Sequence, residues 1–157
     1  KAAGSQPTLW LAPNHDPGRE AIEAIRTGDR GNGESRRTID HLPRETFIAL
    51  LKRMATRRGV LVGNSSAGLI ESAAIGLRIV NIGPRQAGRE RANNVADVAI
   101  DNLETLAAAV NRAQSLAPLK ASTIFGTGRT GGRIAKLLAA AATDPASPEL
   151  LRKRNTY

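Results

Sequence analysis

The segment Val60–Val95, VLVGNSSAGLIESAAIGLRIVNIGPRQAGRERANNV, decides the fold. It opens with a short apolar run, Val60-Leu61-Val62, bounded by Gly59 and Gly63, which reads as a buried strand. Gly63-Asn64-Ser65-Ser66-Ala67-Gly68 follows, small or hydrogen-bonding throughout, and a helix-like segment then runs to Ile75. A second apolar run, Arg78-Ile79-Val80-Asn81-Ile82, comes at once. Strand, small polar turn, helix and strand make a βαβ unit. In such a unit the turn gathers backbone N–H groups at a helix N-terminus, where an anion can sit. The stretch points to a phosphate-bearing ligand.

Outward from this unit the alternation continues. Thr8–Ala12 reads as a strand ended by Pro13, and Asn14–Gly18 as a loop in which Asp16 can cap a helix and Pro17 can open it. Glu20–Ile25 forms a short helix, 27–37 a polar, glycine-rich surface connection, and Thr38-Ile39 a short strand. Leu42-Pro43 opens a helix to about Arg57, with Phe47, Leu50, Leu51 and Met54 on one face. Val95–Ile100 is a fourth apolar run, and Asp101 or Asn102 can cap a helix Leu103–Leu116. A loop Ile124–Gly128, a helix Gly132–Ala142 and a last helical piece within Pro145–Tyr157 complete the chain. Strands alternating with helices predict an α/β fold: a parallel sheet with helices on both faces.

The 157 residues suffice for one domain with a sizeable core. Aromatic residues make up 3% of the chain, so Leu, Ile, Val and Ala must fill the interior. The sequence has no cysteine, which excludes disulfides, thiolate zinc sites and a cysteine nucleophile. Only His15 and His41 are present, so a histidine-rich metal site is excluded as well. No apolar stretch is long enough to cross a bilayer and no signal peptide is visible. The net charge of +9 asks for an anionic partner or a solvated basic surface. Its charges are scattered and stacking aromatics are few, which weighs against nucleic acid as the main partner.

Several motifs occur in a fixed order: Pro13-Asn14-x-Asp16-x-Gly18, His41-Leu42-Pro43, and Gly63-Asn64-Ser65-Ser66-x-Gly68-x-x-Glu71. Val80-Asn81-Ile82-Gly83-x-Arg85-Gln86-x-Gly88-Arg89 and Phe125-Gly126-x-Gly128 follow. The series resembles the carboxy-terminal half of the UDP-N-acetylglucosamine 2-epimerases, particularly the hydrolysing kind, over roughly residues 8–140. That resemblance implies a Rossmann-like domain, the nucleotide-binding half of a GT-B fold. It also implies conversion of UDP-N-acetylglucosamine and water to N-acetylmannosamine and UDP, through loss of the C2 proton, elimination of UDP to a glycal, and addition of water. Related enzymes act on bacillosamine-type nucleotide sugars.

Carried over residue by residue, the resemblance gives Ser65 and Ser66 the diphosphate, which suits hydroxyls at a positive helix end. Serine here also reads simply as an N-cap. Glu71, one turn into the helix, matches the glutamate that binds ribose hydroxyls, although an exposed helix glutamate needs no such role. Asn14 matches an asparagine near the nucleotide, with turn chemistry as its alternative. His41 and Leu42 match a segment whose backbone contacts uracil. Arg85 and, less directly, Arg89 lie past a strand end, where they can meet phosphate or sugar, or organise the loop. His15 reads as a solvated loop residue.

The family's catalytic carboxylates belong to its amino-terminal domain, and a further histidine to a strand upstream of Thr8. No catalytic residue is therefore assigned within 1–157, which is expected to be a nucleotide-binding fragment, inactive alone and prone to pair or aggregate through an open sheet edge. The full-length protein is expected to be cytoplasmic and homo-oligomeric, without membrane contact, metal or cofactor. Two other readings stay open: the donor domain of a GT-B glycosyltransferase, and a non-catalytic nucleotide-sugar-binding module.

Overall fold

The computed structural model describes residues 6–13, 15, 17–28, 36–99 and 103–143. The chain divides into two compact units, Lys1–Ser122 and Thr123–Tyr157. In the first, β1 (Thr8–Leu11), α1 (Arg19–Gly28), β2 (Arg36–Ile39) and α2 (Arg44–Thr56) precede β3 (Val60–Gly63) and α3 (Ser66–Ile75). Then come β4 (Arg78–Ile82), a 3₁₀ turn (Pro84–Gln86), β5 (Val95–Val98) and α4 (Leu103–Ser115). The second unit contains α5 (Thr130–Thr143). Asn14, the proposed caps Asp16, Asp101 and Asn102, and the helical piece expected within Pro145–Tyr157 lie outside the described residues.

Among the described residues all strand pairs are parallel, giving the expected Rossmann-like α/β arrangement. Their hydrogen-bonded ladders fall into two groups, β1–β2 and β3–β4–β5. Apolar patterning marks each strand without naming its lateral partner, so the grouping had to come from the structure. In the smaller sheet Arg36 stacks its guanidinium 5.3 Å from the centroid of the Trp10 ring, a diagonal cross-strand contact.

The central strand β4 organises the larger sheet. Strand side chains alternate between faces, so Ile79 joins Leu51, Leu77, Leu61, Phe47, Ile48 and Ile75 on the α2–α3 side. Val80 turns the other way, to Val98, Val110, Ala113, Leu106 and Ala109 against α4. Each fully buried aliphatic side chain contributes about 1.5–3 kcal/mol, so both faces of β4 supply substantial stabilisation. This double burial makes the strand apolar without interruption between Arg78 and Asn81, as in parallel sheets covered on both sides.

Helix α3 begins at Ser66, within the small polar turn that the sequence pattern extends to Gly68, because Ser65 is its N-cap. The Ser65 Oγ accepts the Ala67 N–H at 3.3 Å. The helix stops at Gly76, in the left-handed region at φ 73°, where Leu77 N–H returns to the Ser72 carbonyl at 3.0 Å. Only glycine fits here for a second reason: a Cβ would lie 2.4 Å from the Leu119 carbonyl oxygen. Ser122 N–H also donates to the Ala73 carbonyl at 2.8 Å. Among the described residues no helix is long and apolar enough to cross a membrane.

Candidate functional site

The carboxyl ends of β3, β4 and β5 form one edge, with Gly63, Asn81 and Asp97 side by side in register. Ligands of open α/β sheets bind at such ends. From Gly63 the chain enters Asn64-Ser65 and then α3, whose first turn holds no acidic side chain. Ser65 is exposed and Ser66 half-buried. The cap uses the lone pairs of Ser65 Oγ, so its hydroxyl hydrogen can still be donated outward. As the first helical residue, Ser66 has no intrahelical acceptor for its N–H. Positive helix-end dipole, N–H and hydroxyl groups together make this turn suited to an anion.

Beyond β4, Gly83 adopts φ 72°, ψ −176°, a conformation essentially restricted to glycine, and its N–H is held by the Val98 carbonyl at 2.9 Å. This bend turns the 3₁₀ segment back over the serine turn. Arg85 Nη1 and Gln86 Nε2 both donate to the Asn64 carbonyl, at 3.0 and 2.7 Å. The loop-organising contact considered for Arg85 from sequence is thus present. Its exposed guanidinium lies beside the anion-suited turn as well. Arg89 is exposed, and its backbone N–H donates to the Gln86 carbonyl at 3.3 Å.

A polar relay that sequence reasoning passed over secures this loop. Arg91 donates through Nη2 to the Gln86 carbonyl at 3.0 Å and through Nη1 to the Arg89 carbonyl at 2.7 Å. Its Nε reaches Asp97 Oδ2 at 3.0 Å, and Asn81 Nδ2 donates to Asp97 Oδ1 at 2.6 Å. The Arg91 hydrogen bond holds the Asp97 carboxyl below the usual carboxylate range; partial burial opposes it and the Asn81 amide assists. The only sequence signal was a cluster of Arg and Gln before an apolar run broken by one aspartate.

Glu71 is half-buried on α3, and Oε1 accepts Arg44 Nη1 at 3.3 Å. Arg44, unremarked in the sequence, opens α2 directly after His41-Leu42-Pro43. The ion pair therefore joins the start of α2 to the proposed ribose carboxylate. With Arg44 exposed, the pair itself contributes about 0–1 kcal/mol. His41 is exposed and Leu42 half-buried in the connection from β2 to α2. His15 is exposed, within hydrogen-bonding distance of Arg19. The structure thus gathers Ser65, Ser66 and Arg85 at one turn and links Glu71 to α2; no described contact joins His41 or Leu42 to that turn.

Comparison with known proteins bears on this geometry. A UDP-N-acetylglucosamine 2-epimerase family model matches residues 1–139. The hydrolysing UDP-N,N'-diacetylbacillosamine 2-epimerase of Legionella pneumophila is 35% identical over 149 residues, which cover 95% of this chain and 37% of that protein. The hydrolysing GDP/UDP-N,N'-diacetylbacillosamine 2-epimerase of Campylobacter jejuni is 33% identical over 73 residues, 46% of this chain and 18% of its own. Polysialic acid biosynthesis protein P7 of Escherichia coli is 40% identical over 57 residues, 36% of this chain and 14% of its own. The chain therefore spans little more than a third of the length of the Legionella relative. The family match takes in both sheets, the serine turn and the Arg85–Arg91 loop, and on that ground the chain belongs to the UDP-N-acetylglucosamine 2-epimerase family.

Proposed function

We propose that this chain binds the nucleotide of a UDP-linked 2-acetamido sugar and that the protein carrying it is a hydrolysing 2-epimerase. The observation that carries the reading is the Ser65-capped turn at the strand ends, with Ser66 and Arg85 beside it. In this reading the α3 N-terminus, Ser65, Ser66 and Arg85 hold the diphosphate. Glu71 accepts hydrogen bonds from the ribose hydroxyls, with Arg44 fixing its carboxylate. Backbone groups near His41 and Leu42 meet the uracil, and Asn14 is given a nucleotide contact on the sequence resemblance alone.

Holding the diphosphate matters chemically because UDP is the leaving group. Donors that bind it more tightly as its negative charge grows lower the barrier to its departure. The C2 proton leaves, UDP is eliminated to give a glycal, and water adds to the opposite face. Groups that move the proton are assigned to no residue of this chain, and the chemistry needs no cofactor. The names of the Legionella and Campylobacter relatives favour a diacetylated bacillosamine sugar as much as N-acetylglucosamine. We further propose a cytoplasmic homo-oligomer as the working form.

The test is to incubate the intact protein with UDP-N-acetylglucosamine and with UDP-N,N'-diacetylbacillosamine, following UDP release and the configuration of the freed sugar at C2. Free 2-epimer with UDP is the expected product. Transfer of the sugar to an acceptor, or no turnover of either substrate, would overturn the reading.

A further inference from the structure

We propose that Gln86 is a positioning residue for the serine turn: its side-chain amide orients the Asn64–Ser65 peptide so that the turn can receive a diphosphate. This rests on the UDP-binding reading above. Gln86 is 3% exposed, so its carboxamide is out of ligand reach and acts only through what it holds. Its Nε2 donates to the Asn64 carbonyl at 2.7 Å. A peptide is planar and trans, so fixing the Asn64 C=O also directs the Ser65 N–H, which points the opposite way. The same peptide leads into the residue that caps α3.

Gln86 is itself held from behind. Its carbonyl takes the Arg91 guanidinium, Arg91 pairs with Asp97 on β5, and Asp97 receives Asn81 from β4. The relay connects the turn after β3 to the other two strands of its sheet through hydrogen bonds rather than apolar packing. Arg85 shares the Asn64 carbonyl at 3.0 Å but is exposed. An arginine drawn towards a bound diphosphate would leave that carbonyl, and Gln86 is the donor that stays.

A purely structural role predicts something different. Removing the carboxamide leaves the Asn64 carbonyl with Arg85 as a donor, and it also removes Gln86 Oε1, a buried acceptor without a partner. These effects on stability oppose each other. Gln86→Met, of similar length and without donors, should therefore unfold near the wild-type temperature while losing control of the turn.

The experiment is calorimetric titration of the intact protein with UDP and with uridine, alongside thermal unfolding. In Gln86→Met, UDP affinity should fall by roughly ten-fold or more, the loss expected for about one hydrogen bond to a charged group, while uridine affinity and melting temperature hold. Arg91→Lys withdraws the guanidinium from the Gln86 carbonyl without touching the carboxamide. It should give a smaller loss with the same preference for UDP, and this arm decides the matter should Gln86→Met fail to fold. Unchanged UDP affinity in a folded Gln86→Met, parallel losses for UDP and uridine, or an unaffected Arg91→Lys each overturn the inference while leaving UDP binding intact. A wild-type protein that does not bind UDP overturns the underlying reading, and the inference with it.

Discussion

Arg78, 1% exposed at the start of β4, donates through Nη2 to the carbonyl of Leu116 at 2.6 Å, just past the end of α4. A cation at that place complements the negative end of the helix dipole and satisfies a carbonyl the helix leaves open. Its Nε and Nη1 are buried without partners. Arg78→Ala should therefore lose about 3 kcal/mol or more, from the void and the uncapped carbonyl together. Arg78→Met leaves the same carbonyl uncapped but refills most of the volume and discards two buried donor atoms without partners, so it should lose clearly less than the alanine variant. Urea unfolding of both variants checks the order; an alanine variant as stable as the methionine one contradicts it.

The two serines of the turn should separate. Ser65→Ala removes the N-cap of α3 and should cost about 1 kcal/mol of stability. Ser66 caps nothing, so Ser66→Ala should leave stability within about 0.5 kcal/mol and weaken UDP binding by about ten-fold, as for one hydrogen bond to a charged group. Denaturation curves and UDP titrations on the same samples give both readings. Equal behaviour of the two variants in both assays would count against distinct roles.

Gly76→Ala should be strongly destabilising. A left-handed alanine costs about 1 kcal/mol or more, and its Cβ would also press on the Leu119 carbonyl. The measurable outcome is a lowered melting temperature with hydrogen exchange raised first at Leu77 and Ser122, whose N–H groups close the end of α3. Protection unchanged at both amides would argue against this coupling.

Acid should loosen the Arg91 relay. The Asp97 carboxyl titrates below its unfolded value, near 3.9, so the native state favours the ionised form. Its contribution to stability is complete above that unfolded value and is lost as pH falls through the lower native one. The side chain is 53% exposed, so solvent screening keeps the effect small. Asp97→Asn should be less stable near neutrality and show a shallower loss below about pH 4. Parallel acid profiles for variant and wild type would remove Asp97 from the account.

Much of this organisation was readable in the chain itself, for identifiable reasons. The run Val60-Leu61-Val62, the small residues after it, and the run Arg78–Ile82 are local patterns, and β3 and β4 lie where those patterns place them, while α3 starts earlier, at Ser66. Ser65 as a cap is likewise written in residue type, and the end of α3 at Ile75 matches the reading, although the left-handed Gly76 that stops it was not singled out. What stayed hidden depends on residues far apart in sequence. Nothing local in Arg44 announces Glu71, and nothing in Asp97 announces Arg91 and Asn81. The 3₁₀ turn at Pro84–Gln86 was hidden too, because Gly83 and Pro84 mark a bend without giving its direction. Arg85 carried two readings from sequence, and only its contact with the Asn64 carbonyl shows that one of them is realised.

Helix α3 is fastened at both ends: by the Ser65 cap at one, and by Gly76, Leu77 and the Ser122 N–H at the other. Its ten residues form a rod of about 15 Å. Ser122 is also the last residue of the first compact unit. At about three turns the rod is short enough that fraying at Gly76 would reach the turn at Ser65, so the two fastenings stabilise one another.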